Sequence, residues 1–360
     1  MNSLKFANGR IWPIYLLILL LLAACTAPAS TTDEAAETDV TTTETVAGES
    51  AEEPMEEAAE PETRTITDAM GREVTIPADP QRIVTLSEID TDSLLALGIV
   101  PVGAPNGRGQ LTLPTYLQPL LGDQTTAIGG IGEPNLETIV TLEPDLIVYS
   151  DPYGPLAERI PELEQIAPVV VPYVDTGDWH WKSVFMAVAD TLGKTAEAET
   201  WIQAYDARAA ELGAQLPDDV GEVSIVRWMA DGPRILLSNA FSSQVLSDVG
   251  FERPQYQLDL AGTHPVHTDV ISMEQVELID ADLVFAGGLN PEGDVAMETA
   301  LADPLVETLT AVQSNRLFLV DGLAWSSTGG PTAALQVLDD LENALNQINA
   351  TGQLKTQQPT

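Results

Sequence analysis

Glu133-Pro134-Asn135-Leu136-Glu137-Thr138-Ile139-Val140-Thr141-Leu142-Glu143-Pro144-Asp145-Leu146-Ile147-Val148 places apolar residues three apart at Leu136, Ile139 and Leu142, then a short aliphatic run after a proline. That order reads as a helix, a short turn and a buried strand. The pattern returns as Met273-Glu274-Gln275-Val276-Glu277-Leu278-Ile279-Asp280-Ala281-Asp282-Leu283-Val284-Phe285, 137 positions on. Leu136 matches Met273, Glu137 matches Glu274, Ile139 matches Val276, and Asp145-Leu146-Ile147-Val148 matches Asp282-Leu283-Val284-Phe285. A second pair lies at an offset of 152: Arg82-Ile83-Val84 leading to Gly98-Ile99 resembles Arg234-Ile235-Leu236 leading to Gly250-Phe251. Two repeats predict two similar α/β lobes.

Outward from that stretch, the first lobe is expected over 64–175. It opens with a hairpin, Thr65-Ile66-Thr67 and Glu73-Val74-Thr75-Ile76 around a turn that contains Gly71. A buried strand over Arg82–Leu86, a helix over Ile89–Leu97 stopped by Gly98, and a strand over Val100–Gly103 form a strand-helix-strand unit. After the Gly-rich loop Asn106-Gly107-Arg108-Gly109, a helix is expected over Thr112–Leu121, and another over Leu156–Gln165; Val169-Val170-Val171 closes the lobe. From Trp179 to Leu216 there is no proline, and Val184, Val188, Leu192, Trp201, Tyr205, Ala209 and Leu212 recur at helical spacing. This predicts a connecting helix within 176–216, about 50 Å long if continuous, with Gly193 as the point where it would break. The second lobe, 217–349, runs from Glu222-Val223-Ser224-Ile225-Val226 to strand Arg316–Val320 and a terminal helix Pro331–Ile348, followed by a tail over 350–360.

The chain has 360 residues and one cysteine, Cys25, so an internal disulfide is excluded. Lys5 and Arg10 precede an apolar core, Ile11–Leu22, and then Ala23-Ala24-Cys25, which is how a secretory leader over 1–25 looks. Residues 26–63 are rich in Thr, Ala, Glu, Ser and Pro with no basic or aromatic side chain, and read as a disordered acidic tether. A formal net charge of −40 argues against nucleic acid as a partner. No Gly-x-Ser-x-Gly elbow, no phosphate loop and no dinucleotide fingerprint is present, so an enzyme is not expected.

Ending in Cys25, the leader resembles the lipobox of bacterial lipoproteins, which implies lipidation at that residue. From about Arg64 to Asn349 the chain resembles the substrate-binding lipoproteins of bacterial ABC importers for iron-siderophore complexes, haem and cobalamin. The resemblance rests on Gly132–Glu137 with Pro144–Ile147, the Asp90–Gly103 stretch, and Trp325 with Gly330–Leu341; the last is most like the ferric-siderophore and ferric-citrate branch. It implies an α/β fold of two Rossmann-like lobes joined by a long backbone helix, with the ligand cleft between the lobes. It further implies an extracytoplasmic, lipid-anchored monomer with no cofactor of its own. Such a protein captures a ferric siderophore or ferric citrate-like chelate and delivers it to an ABC permease dimer with its ATPase; the alternative ligands are cobalamin and haem.

By the same resemblance, Glu137 and Glu274 are the permease-docking residues, and their matching places in the repeat agree with that. A cleft for oxygen-rich, often anionic chelates calls for Arg forks and aromatic faces. The ligand-binding candidates are Arg108, Arg227 and Trp228, together with Tyr153 and Trp325, which the resemblance implies face the cleft. Some hydroxamate binders carry an Arg just before the Glu-Pro-Asn stretch, where this chain has Gly130-Ile131-Gly132. His264-Pro265-Val266-His267, with His180, raises a zinc or haem-iron reading. Pro265 opposes helical presentation and no Cys or Glu accompanies the pair, so no protein metal site is expected.

Overall fold

A computed structural model describes residues 62–150, 157–177, 179–217, 219–261 and 266–356. The leader, Cys25, the tether up to Pro61, Tyr153 and His264 lie outside the described residues. Strands β1 (Thr63–Thr67) and β2 (Glu73–Pro77) form the expected antiparallel hairpin. Asp68 closes its turn by accepting the amides of Met70 and Arg72, each at 3.0 Å.

The first lobe is a five-stranded parallel sheet. Strand β3 (Ile83–Thr85) leads into helix α1 (Glu88–Ala96), capped by Ser87 and ended at Gly98, whose φ of 76° suits glycine. Then come β4 (Gly103–Ala104), α2 (Gln118–Leu121), β5 (Thr126–Ala127) and a small antiparallel pair, β6 (Gly129–Gly130) with β7 (Glu133–Pro134). The expected helix over Thr112–Leu121 survives only as α2. Helix α3 (Leu136–Thr141), β8 (Leu146–Val148), α4 (Ile160–Leu163) and β9 (Val169–Val170) complete the lobe, in the order β5-β4-β3-β8-β9. Every residue of β8 is buried, as a parallel strand covered on both faces requires.

The connecting run divides at Gly193, where φ is 68°. Helix α5 (Trp181–Thr191) turns back against α6 (Thr195–Gly213), with Trp181 on Tyr205 at 4.9 Å and Phe185 on Trp201 at 5.5 Å, both edge to face. The backbone helix is therefore α6 alone, 19 residues and about 28 Å, shorter than the continuous run. Among the described residues no helix is long and apolar enough to cross a membrane.

The second lobe contains β10 (Val223–Met229), β11 (Gly232–Ile235), α7 (Phe241–Val249), α8 (Gln255–Leu260), β12 (Leu283–Gly288), α9 (Pro291–Ala300), α10 (Thr310–Gln313), β13 (Leu317–Leu319), α11 (Gly322–Ser326) and α12 (Pro331–Thr356). Its sheet runs β11-β10-β12-β13, parallel except for β11. The repeated Asp has a physical cause in both lobes. Asp145 accepts the amides of Gln81 at 2.7 Å and Arg82 at 2.9 Å, and Asp282 accepts that of Glu222 at 2.9 Å. Each carboxylate pins the start of the neighbouring parallel strand, so β8 corresponds to β12 and β3 to β10. The pair at offset 152 holds only for its helices, α1 and α7. Ile83 lies in a central parallel strand, whereas Ile235 lies in the antiparallel edge strand β11. The helix expected in the second copy is a 3₁₀ segment, Met273–Ile279, broken at Gln275 where φ is −118° and ψ 21°.

Candidate functional site

In strand β10 successive side chains point to opposite faces. Val226 and Trp228 join a core with Ile235, Val284 and Ala286, while Val223 and Ile225 join the core between the helices. Arg227 shares the second face, where it is 5% exposed. The β10–β11 hairpin brings Arg234 directly opposite Arg227 in register. Like charges placed so are destabilising. Asp231 in the turn meets Arg234 with two hydrogen bonds, 2.9 and 2.8 Å, and those bonds hold its carboxyl below the usual carboxylate range.

The third cation comes from the first lobe. Gly109, at φ +70°, carries the loop after β4 so close to Asn290 that a Cβ there would lie 2.9 Å from Nδ2. Asn290 is itself fixed, its Oδ1 capping α9 by accepting the amide of Gly293 at 2.9 Å. Arg108, beside Gly109, donates its amide to Glu88 Oε1 at 2.6 Å. The result is a cleft of about 410 Å³ lined by Arg108, Arg227, Arg234, Met229, His267 and Asn290 among others. The chain has 15 Lys and Arg against 55 Asp and Glu, and three of those 15 meet in this one space.

His267 hydrogen-bonds through Nδ1 to the carbonyl oxygen of Thr268 at 2.7 Å, which makes Nδ1 the donor. Burial lowers its pKa, and Arg227, Arg234 and Arg108 lower it further against the pull of that carbonyl. The imidazole is therefore neutral near pH 7 with Nε2 as its acceptor. His180 is engaged elsewhere: its Nδ1 caps α5, accepting the amide of Lys182 at 3.2 Å. Among the described residues no group of three or more His, Cys, Asp or Glu could hold a metal ion.

Arg108 and Arg227 are thus brought together, and two of the aromatic candidates are not with them. Trp228 points to the opposite face of β10 from Arg227 and is 4% exposed. Trp325 is 1% exposed, stacked on Phe285 at 4.7 Å, with its indole N–H donated to Asp340 Oδ2 at 2.8 Å. Truncating a tryptophan so placed costs about 3–5 kcal/mol, so it contributes strongly to local packing. Sequence reasoning missed Arg234, Met229 and Asn290. The Asp231-Gly232 turn signal could have paired Arg234 with Arg227 by hairpin register.

On the outer surface, Glu137 sits in the first turn of α3, where Asn135 Oδ1 accepts the amide of Thr138 at 3.1 Å. Glu274 sits at the start of the 3₁₀ segment. Both are exposed, and among the described residues neither has an ion-pair partner.

Comparison with known proteins agrees with this architecture. The chain is 33% identical over 302 residues to the Bacillus subtilis protein described as probable siderophore-binding lipoprotein YfiY, covering 79% of this chain and 89% of the relative. It is 28% identical over 304 residues to the Fe(3+)-citrate-binding protein YfmC of the same organism, covering 78% and 87%. Staphylococcus aureus SirA, solved in complex with staphyloferrin B, superposes with a TM-score of 0.66 at 29% identity, covering 79% of this chain and 99% of SirA. The two-lobed fold with its backbone helix is that of these siderophore-binding proteins. Residues 83–323 match the family model described as periplasmic binding protein, and on that match and the YfiY likeness the chain belongs to the periplasmic binding protein family.

Proposed function

We propose that the protein captures a ferric chelate with an anionic, carboxylate-rich outer face and delivers it to an ABC permease dimer with its ATPase. The observation that carries this reading is the convergence of Arg108, Arg227 and Arg234 on one cleft, two of them opposed across a hairpin. Converging guanidinium groups offer an anion several charge-assisted donors at once, and the planar fork matches carboxylates two bonds at a time. The descriptions of YfiY as a probable siderophore-binding lipoprotein and of YfmC as an Fe(3+)-citrate-binding protein support the ligand class. The iron enters as cargo already saturated by its chelator, so the chain supplies positive charge and hydrogen-bond donors and performs no covalent chemistry. Tethering through a lipidated Cys25 as a monomer outside the cytoplasmic membrane, with Glu137 and Glu274 as the docking residues, completes the proposal.

The test is a tryptophan-fluorescence titration against ferric citrate, a ferric hydroxamate, a ferric catecholate, haem and cobalamin. Saturable sub-micromolar quenching by the ferric citrate type is expected. Binding confined to haem or cobalamin would overturn the ligand class.

His267 adds a pH signature. Burial is the main cause of the lowered imidazole pKa and the three arginines add to it; an anion seated among them offsets their part, so His267 is expected to gain proton affinity on binding. The extra affinity is fully present below the free-state pKa and is lost as pH rises through the bound-state pKa. Ferric chelate affinity is therefore expected to rise severalfold from pH 7.5 to pH 6, relative to His267→Gln measured in the same buffers. Parallel profiles for the two proteins would remove His267 from the site.

A further inference from the structure

Glu88, Asp90 and Asp92 stand in the first two turns of α1, and all three are fully buried. Asp90 serves its own lobe, accepting the Ser87 hydroxyl at 2.6 Å and the Ser150 amide at 2.7 Å. Glu88 and Asp92, four residues apart and hence on one helix face, reach elsewhere. Glu88 takes the Arg108 amide at 2.6 Å through Oε1 and the Ser327 hydroxyl through Oε2. Asp92 takes the amides of Thr332 and Ala333, at 2.5 and 3.0 Å, in the first turn of α12, and the Tyr116 hydroxyl at 3.3 Å. The chain before α12 is drawn in so far that a Cβ on Gly330 would lie 2.6 Å from Asp92 Cγ. One face of α1 thereby fastens the first-lobe arginine loop to the segment that joins α11 to α12.

We propose that Glu88 is a positioning residue for Arg108 and, with Asp92, forms a proton-operated clasp that holds this loop and the start of α12 when protonated and loosens both when doubly ionised. Two carboxylates on one buried face repel each other, and each ionised group there lacks the solvation that water would give. A protonated Glu88 keeps both contacts, because the Ser327 hydroxyl can turn to accept the added proton while the Arg108 amide still donates. Burial pushes Glu88 from its ordinary 4.5 up to about 7 against the opposing pull of the Arg108 guanidinium and amide, and the charge of Asp92 adds to the rise. Burial likewise takes Asp92 from 3.8 to about 6 against its four hydrogen-bond donors.

The other ionisable groups around the clasp are Tyr116, pushed well up by burial, and Asp321, which faces Tyr116. On α5, Lys182 pairs with Asp206 and Asp248, His180 caps the helix, and Asp190 accepts the Thr195 hydroxyl. On α12, Asp339 and Glu342 pair with Arg208, and Asp340 accepts the Trp325 indole. Strand β3 brings no ionisable side chain.

Both folded-state values exceed the unfolded ones, so the folded chain holds protons between about pH 4 and 7 that the unfolded chain has released. Their contribution to stability is complete below about pH 4 and is lost as pH rises through 6 and 7. The clasp acts without ligand, so its test needs none and is independent of the ligand assignment.

The experiment is hydrogen exchange on the full ligand-free chain from pH 5.5 to 8.5, corrected for intrinsic rates, following the amides of Arg108, Thr332 and Ala333. Protection of Arg108 is expected to fall at least tenfold between pH 6 and 8 in the wild type and to stay high in Glu88→Gln. That variant should also melt a few degrees above the wild type at pH 8, with the gap narrowing as pH falls and closing by about pH 4. Wild-type protection that is flat with pH, which needs no variant to observe, or an equal fall in Glu88→Gln, would overturn the clasp.

Discussion

Arg227→Ala is expected to weaken binding of the ferric chelate by at least about thirtyfold while changing the stability of the fold far less. Removing one partner of a buried, hydrogen-bonded charge pair costs about 2–5 kcal/mol in binding, and 2 kcal/mol is about thirtyfold at 25 °C. On stability two effects oppose each other, because Arg227 faces Arg234 across the hairpin and like charges directly opposite are destabilising. Alanine also removes a buried aliphatic stem, since Arg227 is only 5% exposed. Arg227→Met keeps the stem and isolates the charge: it should bind as poorly as the alanine variant and melt higher than that variant. Arg227→Lys should fall between, because an ammonium keeps the charge and loses the fork. The measurements are a chelate titration and a thermal melt on each variant. Unchanged affinity in Arg227→Met would remove this residue from the site.

Arg227 meets Arg234 only through the register of a hairpin, which explains why only part of the site was legible beforehand. The lobes were readable because their signal is local: Asp145 and Asp282 recur because each pins the strand beside it, at one fixed spacing from an apolar run. Arg227 was readable as a cation at a strand end. Trp228, its neighbour, was named with it, yet the two point to opposite faces of β10, and which face is the cleft depends on what packs behind. Trp325 was unreadable in the same sense, since Phe285 from a distant strand and Asp340 from α12 decide that it is core. The helical run from Trp179 had the right period throughout, and a single positive-φ glycine converted an extended strut into a hairpin plus a backbone helix. The acids of α1 gave no warning of burial, because the donors that satisfy them come from 20 and 240 positions away.

The double variant Glu137→Ala with Glu274→Ala is expected to abolish chelate uptake by cells while leaving the dissociation constant of the purified protein within about twofold of wild type. In the proposed docking, one exposed carboxylate from each lobe would meet an arginine pocket on each half of a permease dimer. A hydrogen bond to a charged group contributes about 1.5–3 kcal/mol, so losing both contacts weakens docking by roughly 3–6 kcal/mol, on the order of a hundredfold to ten-thousandfold. Either single variant should therefore reduce uptake in part and the pair remove it. The local helix starts do not depend on these side chains: α3 is capped by Asn135, and the dipole contribution of one exposed Glu is only about 0.3–1 kcal/mol. Stability and secondary structure should accordingly change little. Neither Glu lines the arginine cleft, which is why affinity and uptake should separate. The decisive comparison is radiolabelled-iron uptake beside a binding titration on the same double variant. Uptake at the wild-type rate would exclude the two residues from docking, and a parallel loss of affinity would place their effect in the ligand site or the fold instead.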